Sequence, residues 1–331
     1  MRCNSPRLLA CAVLGTFAAS MPAWAQSSVS INGLLDAGIY RGFDGVNQLG
    51  TIQRSNVALS GTEDLGGGLK AIFRLSTRLE LDTGASEGAG FKPFWHDEST
   101  VGLQGGWGTL RVGRALTPMW AQDWKFDPWG NFNRVASPAW HQWHSLAPSD
   151  PLGNNGTAEY GRLNNGIFYD SPQVAGFTLR LSSSPERQRE LGATERPYSA
   201  VLEYEQQAFA AMAAVERNSF GDRNSFLAGK YRLGSAALML SHDRSRSADS
   251  RNQSRATTLG GTYQLGQTTL KAGYGHQRLN QGTSQGTNRF VSVGADYAVS
   301  KRTTLYASLG HKRDDGLKSR TALGVGLSHA F

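Results

Sequence analysis

Only two cysteines occur in the sequence, Cys3 and Cys11, both within the first 25 residues. A chain that loses its N-terminus therefore has no disulfide framework, no thiolate nucleophile and no cysteine-ligated metal. Charge is sparse as well, with Asp, Glu, Lys and Arg at 18% against roughly 25% in an ordinary globular protein. Long apolar runs are also missing. No stretch reaches the ~18 residues a spanning helix requires and mean hydropathy is −0.40, which excludes a helical membrane protein. Glycine, by contrast, is plentiful at 40 of 331 residues, about 12% where about 7% is usual.

The N-terminus carries an export signature. Arg2 and Arg7 flank the start of a mostly apolar run from Leu8 to Ala19, and Ala23-Trp24-Ala25 supplies the small residues of an A-x-A cleavage site. Residues 1–25 read as a secretory signal peptide cut before Gln26. Lipidation at Cys11 would leave only Leu8-Leu9-Ala10 as apolar core, too short to serve. Loss of Arg2 and Arg7 leaves 32 basic and 26 acidic side chains, a net charge of +6.

From Gln26 onward the dominant signal is period two. Val29, Ile31, Gly33, Leu35, Ala37 and Ile39 alternate with a mainly polar set that includes Asp36. Leu69, Ala71, Phe73, Leu75, Thr77, Leu79 and Leu81 are opposed by Lys70, Arg74, Ser76, Arg78, Glu80 and Asp82. One face is apolar and the other ionic. The pattern recurs to the C-terminus, giving sixteen candidate strands, at 29–41, 52–63, 69–82, 97–104, 108–115, 162–171, 175–184, 198–206, 208–217, 223–233, 235–243, 255–265, 267–276, 287–298, 302–312 and 319–331. Short links such as Gly105-Gly106-Trp107-Gly108 alternate with longer polar ones such as 244–254 and 277–286, as in an up-and-down antiparallel sheet. A soluble sandwich would bury these ionic faces at several kcal/mol per unpaired ion. A water-filled barrel turns them into a lumen and gives the apolar face to lipid. The expected fold is all-β: a 16-stranded antiparallel transmembrane β-barrel over 26–331.

The chain ends in an apolar strand closed by Phe331. Three further segments are distinctive: Ser28-Val29-Ser30-Ile31-Asn32-Gly33-Leu34-Leu35-Asp36-Ala37-Gly38, Gly61-Thr62-Glu63-Asp64-Leu65-Gly66-Gly67-Gly68-Leu69-Lys70-Ala71 and Asn164-Asn165-Gly166-Ile167-Phe168-Tyr169-Asp170-Ser171-Pro172. Together they resemble the general diffusion porins of Gram-negative bacteria, of the β-proteobacterial type. The resemblance implies a homotrimer in the outer membrane, in contact with its lipid and lipopolysaccharide. It also implies recognition of Phe331 and the C-terminal strand by the barrel-assembly machinery, passage of small hydrophilic solutes, and a long third loop folded into the lumen as a constriction. Residues 116–160, long and without alternation, stand where that loop belongs.

Selection in such a channel comes from width and from charges at the constriction. Parity places Arg54, Lys70, Arg74, Arg78, Arg111, Arg162, Arg180, Lys230 and Arg232 on the lumen face. Arg74 and Arg78 lie about 13 Å apart on one strand, and Arg54, Arg74, Arg78 and Arg162 form the expected basic side of the constriction. Lys230 and Arg232 read as ordinary lumen charges. Asp123 and Asp127 of the loop are the expected acidic side. Asn56, Asp97 and Glu98 depart from the basic residues common in the family and weaken its anion preference. Five of eight tryptophans, Trp120, Trp124, Trp129, Trp140 and Trp143, fall in the loop. Trp120, Trp124 and Trp129 are candidate contacts for sugar or aromatic solutes, and packing against the wall is the plainer use.

The implied function is passive diffusion of small hydrophilic solutes and ions, leaning to anions, with a substrate-preferring channel as the alternative. A barrel enzyme is the other class, but no nucleophile signature surrounds His96, His141, His144 or His242, and a barrel with a closed lumen is a third. His141-x-x-His144 is only half a metal site. No catalytic residue, metal, cofactor or nucleic-acid partner follows from the sequence.

Overall fold

A computed structural model describes residues 27–87, 93–130, 132–145, 161–185, 195–282 and 284–331. Residues 1–25, expected as the signal peptide, and 146–160 of the long loop lie outside the described residues. The strands are β1 (Ser28–Arg41), β2 (Asn47–Gly50), β3 (Ser55–Gly66), β4 (Leu69–Leu79), β5 (Glu98–Gly105), β6 (Gly108–Leu116), β7 (Arg162–Asp170), β8 (Phe177–Ser183), β9 (Tyr198–Gln206), β10 (Phe209–Arg217), β11 (Arg223–Leu233), β12 (Ala236–Arg246), β13 (Asn252–Leu265), β14 (Thr268–Gln281), β15 (Ser284–Ala298), β16 (Thr303–Asp314) and β17 (Arg320–Ala330).

Each strand pairs antiparallel with its sequence neighbour, and β1 closes the sheet on β17, from Leu34 opposite Ala330 to Arg41 opposite Leu323. On its other edge β1 meets β3 from Ser28/Thr62 to Leu34/Asn56, then β2 from Gly38/Gly50 to Arg41/Asn47. β2 and β3 thus share one barrel position, so the 17 segments make the 16-stranded closed barrel expected. Closure pairs the backbone groups of every strand, which hydrocarbon demands.

Leu227, Leu240, Leu259, Val293 and Val325 are each more than half exposed on the outer face, an apolar surface far larger than a water-soluble monomer presents. Where this alternation weakens, the ladder nevertheless continues. Residues 244–254 and 277–286, expected as loops, are mostly strand, with Arg246 opposite Gln253 and Arg278 opposite Thr287. Outward positions there change from leucine to arginine, which erases the hydropathy contrast without altering the pleat.

Asp36 secures the seam. It is fully buried on β1 and accepts hydrogen bonds from the backbone N–H of Ile52 (2.9 Å) and Gln53 (2.8 Å), in the gap between β2 and β3. A third comes from the Tyr306 hydroxyl of β16 at 2.7 Å. Three residues earlier on β1, Gly33 and Phe331 exchange both backbone hydrogen bonds.

The long loop folds inward as α1 (Pro118–Gln122), a 3-10 turn at Asp123–Phe126 and α2 (Pro138–Gln142). Proline opens both helices, and Ser137 caps α2 by accepting from Trp140 N–H at 3.0 Å. Met119, Phe126, Ala139 and Trp143 pack on Ala210, Met212, Ala214 and Phe226 of the inner wall. Glycine makes the seat on the far side. A Cβ at Gly273 or Gly294 would lie 3.1–3.2 Å from the Trp129 ring, and one at Gly275 would strike the Gln142 amide.

His144 pins this loop electrostatically. Its ring lies 3.0 Å from the Asp123 carboxylate of the loop and 2.9 Å from the Asp243 carboxylate of β12, and its backbone N–H donates to Asp243 at 3.1 Å. Nearby, Thr117 donates to buried Glu216 of β10 at 2.5 Å. Burial would lower the imidazole pKa, but Asp243 and Asp123 outweigh it and raise it from 6.5 to about 10.

Two predictions follow from these contacts. Asp36→Ala, which orphans three donors, two of them buried, lowers barrel stability by about 3 kcal/mol, and Tyr306→Phe by about 1 kcal/mol, read as the denaturant midpoint of the folded band on gels. Because the folded-state pKa of His144 is raised, its stabilisation of the loop is complete below about pH 6.5, declines up to about 10 and is lost above that. Protease cleavage within 117–145 in the folded barrel rises over that window in the wild type. In His144→Gln it is high and independent of pH.

Candidate constriction

Three of the four arginines expected on the basic side converge between the barrel wall and the loop. Arg78 of β4 binds Asp97 through Nε at 2.7 Å and lies 3.7 Å from Glu87. Arg162, at the start of β7, donates Nε to the Asp97 carbonyl at 2.8 Å and a second nitrogen to the Asp97 carboxylate. Arg54, in the gap between β2 and β3, lies 4.4 Å from the ring centre of Phe132 and 5.5 Å from that of Trp140. Burial would raise the Asp97 pKa, but Arg78 and Arg162 hold it below the ordinary carboxylate value. Burial, then Arg78 and Arg162, press the Arg54 pKa well below the ordinary guanidinium value. A guanidinium still keeps its proton, so the cluster sets three cations against the carboxylates of Asp97 and Glu87.

Arg74 belongs to a second array. Its Nε lies 3.2 Å from Glu98, which binds Arg111 at 2.8 Å. Arg111 reaches Asp170 at 3.4 Å, Asp170 reaches Arg180 at 3.0 Å, and Arg180 binds Glu203 at 2.5 Å. Lys125 of the loop completes the row at 2.6 Å from Glu203. Signs alternate across β4 to β9, with four cations and three anions, so the row is nearly neutralised. Asp97 and Glu98 therefore both face the lumen cations, one per array. Strand parity leaves this ambiguous because Asp97 precedes the regular pleat of β5. Lys230 donates to the Lys125 carbonyl at 3.4 Å and Arg232 pairs with Glu205 at 3.3 Å.

The acidic side differs from expectation. Asp123 is fully buried against His144, and Asp127 is buried beneath the loop, where it accepts from Trp129 N–H and the Ser137 hydroxyl at 3.0 Å. Both hold the loop together, and both are as buried as Arg78 and Arg162 on the basic side. Their physical role is to satisfy backbone donors and the imidazolium in a site closed to solvent.

The tryptophans divide similarly. Trp129 is 5% exposed in its glycine seat, and Trp143 is buried and donates to Thr258 at 3.2 Å. Trp120 packs on the loop core, 4.4 Å from His144. These three rings pack on the wall and the loop core, the plainer of the two uses expected for Trp120 and Trp129. Trp124 is 44% exposed. His141 and His144 point to different partners, His141 donating to the Arg134 carbonyl at 3.0 Å. Burial lowers its pKa to about 4, with Lys312 adding to the shift.

Glu87, Phe132 and Arg134, which binds Glu80 at 3.1 Å, complete the surroundings. None carries a local sequence signal, because each reaches the site from an irregular segment where parity has no meaning.

Residues 10–317 match the family model for Gram-negative porins. The chain is 28% identical to outer membrane porin protein 32 of Delftia acidovorans, over 98% of this chain and 99% of that one. It is equally 28% identical to the major outer membrane protein P.IB of Neisseria lactamica, over 95% and 97%. Among solved structures, the anion-selective porin from Comamonas acidovorans superposes with a TM-score of 0.76 at 23% identity, over 92% of this chain and all of that one. A Vibrio cholerae outer membrane protein in its trimer form gives 0.66 at 14% identity, over 92% and 99%. With a barrel, an inserted loop and a family match spanning nearly its whole length, the chain belongs to the Gram-negative porins.

Proposed function

We propose that this porin passes small hydrophilic solutes and ions passively through the outer membrane, as a homotrimer exported with cleavage before Gln26 and assembled through the C-terminal strand ending in Phe331. Its preference leans to anions. The observation that carries this preference is that, among the described residues, the Arg54–Arg78–Arg162 cluster sets three guanidiniums against two carboxylates and the neighbouring row sets four cations against three anions, so each carries one positive charge in excess. The relative described as anion-selective supports the same direction. The chemistry required is a field across a water path, with no bond made or broken.

Arg54 lies against the aromatic faces of Phe132 and Trp140. Its charge adds to those of Arg78 and Arg162, which press on it electrostatically. One charge acting over about 4 Å of water is worth about 1 kcal/mol, or about fivefold in relative occupancy. In planar bilayers the protein is expected to give ohmic steps and a reversal potential of anion-selective sign across a salt gradient. Arg54→Ser lowers the anion-to-cation permeability ratio by about two- to fivefold, and Arg232→Ser leaves it unchanged. A cation preference in the wild type, or no change on removing Arg54, would refute the charge assignment.

A further inference from the structure

We propose that the lumen holds a solute site between the inserted loop and the β7–β8 turn, built for a linear zwitterion whose carboxylate and ammonium stand about 7 Å apart. This rests on the reading of the lumen as a water path and names one class of solute within it.

The site is a cleft of about 330 Å³, at the lower end of the ~300–1,000 Å³ usual for small-molecule pockets. Three pieces of the chain enclose it. Lys125, in the 3-10 turn of the loop, stands on one side. Thr178 and Arg180 of β8 and Glu203 and Glu205 of β9 supply the wall. Their strand neighbours Phe177, Leu179 and Leu202 are exposed on the outer face, so strand parity turns these four inward. Gln173 and Gly176 of the β7–β8 turn close the remaining side. That turn is fixed to β9, because the Gln173 amide donates to the Glu205 carbonyl at 3.3 Å and Glu205 N–H donates to the Gly176 carbonyl at 2.9 Å.

The charges are divided along the cleft. Glu203 is 6% exposed, and its two carboxylate oxygens are taken by Lys125 at 2.6 Å and Arg180 at 2.5 Å. A buried carboxylate is costly unless its partners are well placed, so Glu203 holds the two cations side by side. Both carry more N–H groups than these bonds and the Arg180–Asp170 pair use. The two cations are thus a preformed seat for a second carboxylate, that of the solute.

Glu205 lies two residues further along the same face of β9, about 7 Å from Glu203 at ~3.4 Å per residue. Its side chain is 47% exposed, and its one ion pair among the described residues is with the similarly exposed Arg232 at 3.3 Å. An exposed pair of that kind adds little, and the second Glu205 oxygen is open to an ammonium. A simple anion entering the cleft meets the repulsion of Glu205, and a simple cation meets that of Lys125 and Arg180. A zwitterion of matching length satisfies both ends. An α-amino acid, whose two charges flank one carbon, is too short to reach both.

The test is saturation-transfer NMR on the folded protein in perdeuterated detergent. The probes are 5-aminopentanoate, with four methylenes between its charges, and glycine, pentanoate and pentylammonium. In the wild type, 5-aminopentanoate reaches half-saturation at a concentration at least about fivefold below that of each of the others. Glu205→Gln brings it to the level of pentanoate, and Lys125→Gln raises its half-saturation point by a similar factor. Equal half-saturation by 5-aminopentanoate and pentanoate in the wild type, or an undiminished advantage in folded Glu205→Gln, would overturn the site. Should the variants fail to fold, the wild-type titrations decide alone: glycine or either singly charged probe binding as well as 5-aminopentanoate overturns it. Single-channel recording separates this from the channel reading. A protein that conducts without the preference overturns the site alone, and one that shows the preference but never conducts contradicts the channel and leaves the site supported.

Discussion

A strand that crosses hydrocarbon has to pair its backbone on both edges while facing lipid with one row of side chains and water with the other. Only closure meets both demands, and here closure is completed where β1 meets β17 on one edge and the split pair β2 and β3 on the other. The split frees backbone N–H groups at Ile52 and Gln53. Asp36 accepts both and adds Tyr306 from across the seam. The same interruption carries Arg54 inward beside Arg78 and Arg162. A local defect in the ladder thus supplies the residue on which selectivity is proposed to turn.

The loop is seated by a division of labour between apolar packing and buried charge. Small inward residues on β9–β13 and glycines on β14 and β15 leave room for Met119, Phe126, Trp129 and Trp143. His144, between Asp123 and Asp243, then fixes position and not merely proximity, because a buried ion group is costly unless its partners are correctly placed. Asp127 performs the equivalent service within the loop by binding Trp129, Ser137 and Ala139. The carboxylates nearest the pore cations come instead from the wall and the fourth-to-fifth-strand connection, as Glu98, Asp97 and Glu87.

Much of this was legible in the sequence, for physical reasons. The barrel and its sixteen positions follow from period two, since every second residue meets a different solvent. Arg54, Arg78 and Arg162 could be placed inward because strand parity or its immediate flank determines facing. Parity stops at segments without a pleat, so it says nothing of Asp97, Glu87 or Phe132, and it misdirects where the outer face becomes basic. That is why the ends of β12–β15 near 244–254 and 277–286 read as loops although they are mostly strand. Asp123 and Asp127 read as pore acids because loop composition reports charge and not burial; only the His144 and Ser137 contacts reveal their use.

If the lumen is basic as proposed, the water path beside Asn56, which lies opposite Arg78 in the ladder, has a positive potential. Cys3 and Cys11 are the only cysteines of the sequence and both fall within residues 1–25, so Asn56→Cys in a chain beginning at Gln26 carries a unique thiol. The rate at which negatively and positively charged thiosulfonate reagents of matched size reduce its single-channel current measures that potential directly. The account predicts several-fold faster modification by the negative reagent, with the difference shrinking as salt is raised. Equal rates, or faster modification by the positive reagent, would contradict it.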